Sequence, residues 1–168
     1  MEDTGSKIAL YQLLSWARGS AKKDMEQMEE DAFQAIDLAK TQGQTQTVGE
    51  IYLSLCRAFM AVQQSSLAEK YGRKAIEYAE SSEDLKTIHD AYANLSYVYL
   101  LRDLAQAYRL RYQAFQASTM QNDSLNMALD LMQLGAIHKW QKQDSATYYF
   151  QASRDIFQQI NSPYHEAL

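Results

Sequence analysis

The chain has almost nothing that interrupts a helix. Its 168 residues include one proline, Pro163, and six glycines. The many tight turns of an all-β protein need more of both. A single cysteine, Cys56, rules out an internal disulfide and any cysteine-rich metal site. No apolar run reaches the roughly 18 residues that a membrane span needs. The first ten residues, MEDTGSKIAL, lack the basic segment and apolar stretch of a secretory leader. A basic surface is missing too. Sixteen lysines and arginines face twenty-one acids, for a net charge of −5, so a phosphate backbone is not expected as a direct partner. These absences together read as a cytoplasmic protein that works without a membrane and without nucleic acid.

What the chain does contain is helix-forming sequence. Hydrophobic residues make up 46% and charged residues 22%, a balance typical of globular domains and too apolar for disorder. Alanine, leucine, glutamine, glutamate and lysine fill the stretches between turns. The acidic run Asp24–Asp31 reads as the solvated face and first turn of a helix, where negative charge suits the dipole.

Repetition is the strongest signal. Tyr11, Tyr52, Tyr92 and Leu131 are separated by 41, 40 and 39 residues. Three positions after each stands Leu14, Leu55, Leu95 or Leu134. One further stands a small residue, Ser15, Cys56, Ser96 or Gly135, and three beyond that Arg18, Phe59, Tyr99 or His138. Each block then offers a second helix with small and aromatic residues on one face: Ala68, Tyr71 and Ala75, then Ala107, Tyr112 and Ala114, then Ala146, Phe150 and Ser153. Large residues three and four apart fill a seam, and small ones let two helices approach. The periodicity predicts helices over 7–19, 22–41, 48–63, 67–80, 84–101, 104–120, 124–141 and 145–160, joined by short connections that make neighbours antiparallel. Thr47 with Glu50, and Ser66 with Glu69, read as capping boxes. Ser20, Asp123 and Asp144 read as N-caps. Ser162-Pro163 opens a further helix over 163–168, from which a fifth repeat or another domain is expected.

The pattern large-x2-Leu-Gly-x2-aromatic, followed by Ala-x3-Phe, resembles the tetratricopeptide repeat. Leu131, Leu134, Gly135, His138, Ala146 and Phe150 carry it in the fourth block. Block two departs at Gly72, where the family prefers an aromatic, and block one at Arg18. A step near 40 exceeds the usual 34 and is similar to the longer-helix subclass of that family. HEAT and armadillo repeats share the period. The seam recurring four times and the absence of proline within the helices argue against them. The resemblance implies an all-α, right-handed α-solenoid of antiparallel helix pairs over 1–168, with repeats at 7–41, 48–80, 84–120 and 124–160. It also implies that the first helix of each pair lines a concave groove for a protein or peptide.

By helical spacing, the groove-lining positions are Gln12 and Trp16, then Glu50, Leu53, Arg57 and Met60, then Asp90, Ala93, Tyr97 and Leu100, then Met132, Ala136 and Lys139. The apolar members, Trp16, Leu53, Met60, Tyr97 and Met132, are the expected anchors. Leu53→Glu and Tyr97→Ala are therefore expected to abolish binding and leave folding intact. The convergent cations of a carboxylate clamp are missing from Gln12, Trp16, Leu53, Arg57 and Asn94. No HExxH, phosphate-binding glycine loop or paired-cysteine motif occurs. His89, His138 and His165 fall in different blocks, and Cys56 sits at a close-approach position. No enzyme, metal or cofactor is expected. Two non-catalytic roles follow: an adaptor holding a peptide in the groove, or the regulatory segment of a larger signalling protein. Self-association through the Tyr148-Tyr149-Phe150 end is the associated expectation.

Overall fold

A computed structural model describes residues 25–160. Among them lie seven helices and no strand: α1 Met25–Thr41, α2 Thr45–Ala61, α3 Ser65–Ser81, α4 Leu85–Tyr99, α5 Leu104–Met120, α6 Ser124–Trp140 and α7 Ala146–Ile160. The predicted helices 7–19 and 163–168, together with Gln12, Trp16, Ser15 and Ser20, lie outside the described residues. Five helices have 17 residues and two have 15. Rods of matched length can pair along their whole extent. The closest pairs are α2 with α3, α4 with α5 and α6 with α7. Contacts of α3 on α4 and α5 on α6 join one pair to the next. The arrangement is an all-α helical-repeat solenoid.

One turn is used again and again. Gly43, Gln63, Glu83, Asn122 and Lys142 all have φ between +55° and +69°. In each turn the amide of that residue and the next bond back to the ending helix, as in Gln63 N to Met60 O at 3.0 Å and Gln64 N to Phe59 O at 2.9 Å. This is the Schellman closure, which satisfies orphan carbonyls and reverses the chain within three residues. The α4–α5 connection differs. Asp103 N bonds to Tyr99 O at 2.8 Å, and the Asp103 carboxylate caps α5 through Gln106 N at 2.9 Å.

Asp123 caps α6, as expected, accepting from Asn126 N at 3.0 Å. The other caps need correction. Helices α2 and α3 start at Thr45 and Ser65, behind Gln44 and Gln64, neither of which makes a side-chain cap bond. Thr47 and Ser66 therefore already lie inside the first turn. Glu69 instead accepts from Tyr99, Arg73 and Arg102. Asp144 stands two residues before α7 and does not cap it.

The small-residue register appears as matched contacts. Cys56 faces Gly72, where an added Cβ would lie 3.2 Å from Cys56 Sγ and 3.1 Å from Leu95 Cδ1. Gly135 faces Phe150, where an added Cβ would lie 2.9 Å from the ring. In block two both facing residues are small and Leu95 of the next pair fills the space beside Gly72, which is why glycine is tolerated at an aromatic position. In block three Ser96 Oγ and Arg111 Nη2 both donate to Ala93 O, at 2.7 and 3.0 Å. Arg111 takes the large place there. Further in, Tyr71 stacks with Tyr52 and Phe59 at 6.1 and 5.4 Å between centroids and gives its hydroxyl to Glu29.

Candidate functional face and a buried charge network

The first-helix positions on α2, α4 and α6 separate into three groups. Leu53 is only 4% exposed and belongs to the hydrophobic core. It is not available as a contact, and Leu53→Glu is a folding variant, contrary to the sequence expectation. Ala93 is buried as well. Glu50, Met60, Asp90 and Leu100 are half-buried, and Arg57 and Lys139 are exposed. Tyr97 is 42% exposed and Met132 37%.

Leu53, Ala93 and Met132 are the same position in successive repeats, and the difference between them is informative. Leu53 and Ala93 each have a following repeat stacked beyond them; Met132 has none among the described residues. Met132 shares a shallow cleft of about 410 Å³ with Phe150, Ser153, Arg154, Phe157 and Gln158. That position is a stacking position. Helical spacing along one helix cannot separate it from a groove position, since both lie off the intra-pair seam.

The structure brings Arg57, Asp90 and Tyr97 onto one face. Arg57 Nη2 on α2 donates to Asp90 Oδ2 on α4 at 2.8 Å, joining two first helices. Asp90 Oδ1 lies 3.1 Å from His89 Nδ1. From there a buried network runs inward. His89 Nε2 meets Asp130 Oδ2 at 3.1 Å, Arg111 Nη1 donates to Asp130 Oδ1 at 3.1 Å, and Ser118 Oγ donates to Asp130 Oδ2 at 3.0 Å. The Arg111 guanidinium lies over the Tyr97 ring, 4.6 Å from its centroid. The outward-facing tyrosine is thereby seated on a buried cation.

Charge states follow from these contacts. Burial opposes a charged His89, but hydrogen bonds to Asp130 and Asp90 outweigh it and raise the imidazole to about 9. Burial likewise opposes a charged Asp90, yet His89 and Arg57 hold its carboxyl below the usual range. His89 is therefore an imidazolium at neutral pH, donating from both nitrogens. Asp130 is 1% exposed with both oxygens engaged. The network can orient helices and hold charge, but it presents no nucleophile to solvent.

Arg111 and Asp130 escaped the sequence reading. One signal was present: Arg111 falls between Ala107 and Ala114 on the buried stripe that continues to Ser118. A charge on such a stripe needs an opposite partner. The other titratable candidates are packing residues. His138 lies between Tyr108 and Tyr149 at 4.7 and 4.9 Å, with burial lowering its pKa. Cys56 is fully buried, and its thiol is pushed up to about 12, far from a reactive thiolate. Among the described residues no group of three or more His, Cys, Asp and Glu could hold a metal ion, and no helix is long and apolar enough to cross a membrane. No protein-family model matches the chain, and no curated protein matches it either.

Proposed function

We propose that the chain is a tetratricopeptide-like, non-catalytic module that binds a protein or peptide segment on its first-helix face. The observation that carries this reading is Tyr97. A half-exposed tyrosine held against a buried guanidinium offers a broad contact surface that loses little side-chain freedom on binding. The Arg57–Asp90 pair and exposed Lys139 supply polar specificity on the same set of helices. The test is selection of binders from a random-peptide display library, followed by fluorescence anisotropy with a selected peptide. Tyr97→Ala should weaken binding by about tenfold or more, as truncation of an aromatic anchor does. Its helicity and Tm should stay close to wild type. If no peptide saturates, or if Tyr97→Ala and Lys139→Glu bind it unchanged, the reading fails.

The stacking face at Met132 and Phe150, on which no further repeat is stacked among the described residues, supports a second reading, a regulatory segment that self-associates through its last repeat. Light scattering across a concentration series tests it. Growth in mass that Met132→Asp abolishes supports self-association, and a strict monomer at high concentration removes it.

A further inference from the structure

A second cleft, of about 580 Å³, lies between the last turn of α3, the first half of α4 and the second half of α5. Ile88, Tyr92, Tyr112, Phe115 and Met120 give it apolar and aromatic walls, and Glu80 stands at its margin. No lysine, arginine or histidine lines it. Glu80 accepts the Tyr92 hydroxyl at 2.7 Å, and among the described residues no cation pairs with it. Its position raises the local negative potential further. Glu80 lies in the last turn of α3, and α5 also ends at the cleft; neither last turn contains a basic residue. The start of α4 at Leu85 also lines the cleft, and its positive end offsets one of these two negative C-termini. The Glu80 carboxylate and the remaining C-terminus thus carry the net negative charge. The opening is held in place by Gln121, whose Nε2 donates to Leu85 O at 3.0 Å and Ala117 O at 3.2 Å, tying the end of α5 to the start of α4.

We propose that this cleft is a binding site for a small organic cation with an apolar body, such as an aryl- or alkylammonium compound. The volume falls within the range of small-molecule sites. The aromatic faces of Tyr92, Tyr112 and Phe115 favour a weakly hydrated cation over a compact, strongly hydrated one. Glu80 supplies the counter-charge, and the Tyr92 hydroxyl aims it. This site is separate from the first-helix face and does not depend on peptide binding there.

The test uses the full chain and benzyltrimethylammonium as the probe, with benzyl alcohol and benzenesulfonate as neutral and anionic controls, followed by ¹H–¹⁵N NMR. The cation should give saturable shifts centred on Glu80, Tyr92, Tyr112 and Met120, with Kd of about a millimolar. Benzyl alcohol should bind at least about tenfold more weakly and the sulfonate not at all. Glu80→Gln, at an exposed position, should remove most of the preference for the cation over the alcohol. Tyr112→Leu, which keeps apolar bulk but loses the ring, should reduce it. Equal binding of cation and alcohol by the wild type would reduce the site to an apolar crevice and overturn the proposal. So would shifts centred elsewhere, no saturation by the cation, or an undiminished cation preference in Glu80→Gln.

Discussion

At the residue scale, the decisive group is His89, whose charge is set by carboxylates from two helices. Its folded pKa, about 9, lies above its ordinary value of 6.5, so the folded state holds a proton that the unfolded chain releases first. Stability from this group is complete below about pH 6.5 and is lost as pH rises through about 9. The groups facing it are Asp90 and Asp130, with Arg57 and Arg111 beyond them. A shift of this size corresponds to at most about 3 kcal/mol across the window. Urea unfolding at pH 6.5, 7.5 and 9 should therefore show falling stability, and His89→Gln should flatten the slope. His138 acts in the opposite sense: its lowered pKa costs stability only as pH falls below 6.5. Buried Cys56 adds its own loss only above about pH 9. An unchanged slope in His89→Gln would mean that the imidazole is neutral when folded. This network was the least legible part of the sequence. Arg111 and Asp130 are nineteen residues apart, and neither has a motif; only the phase of Arg111 on an alanine stripe marks it as buried.

At the scale of the helix and its turn, most of the structure could be read in advance, for a physical reason. Seam residues recur at fixed spacing because every pair solves the same packing problem, so Leu55, Leu95 and Leu134 announced their burial. The ends were harder. A capping box is a local signature, whereas these helices start where the preceding Schellman turn releases the chain, three residues after the last helix ends. Turn geometry therefore starts each helix ahead of Thr47 and Ser66, which fall within the first turn, and their carboxylate partners serve elsewhere. Glu69 shows what this gains. Free of a cap, it accepts from Tyr99, while Arg102 and Arg73 add their bonds, and together they hold its carboxyl down at about 2. That cluster fastens α3 to the end of α4, at the one connection among the described residues that lacks a left-handed residue. The turn there adds side-chain bonds to its backbone closure. The candidate face was half legible for the same reason: spacing fixes which helical face a residue occupies, but its burial depends on whether another repeat follows.

Across the whole molecule, stability is a chain of neighbour contacts, and its weakest joint can be located. One core cluster runs from α1 to α4 around Ile36, Ile51, Leu55 and Tyr71, and a smaller one joins α4, α5 and α6 around Leu95, Leu110 and Ile137. Ile137 lies in the C-terminal half of α6; in the N-terminal half, Asp130 bonds to His89 and Arg111. Helix α7 then depends on α6, through contacts that include Ser153 Oγ to Ala128 O at 2.7 Å. The attachment of the last pair thus combines apolar contacts with an ionic one. Removing Asp130 would leave the buried Arg111 without a counter-charge and His89 with Asp90 alone, a change that costs about 3–5 kcal/mol. In a linear array such a loss need not spread evenly. Native-state hydrogen exchange of Asp130→Ala should show α6 and α7 opening together, by a step well below the opening free energy of α2 and α3. The wild-type chain should keep the two regions closer. Equal destabilisation of every helix would mean that the seven rods form one cooperative unit, in which the polar joint between α4, α5 and α6 is no boundary.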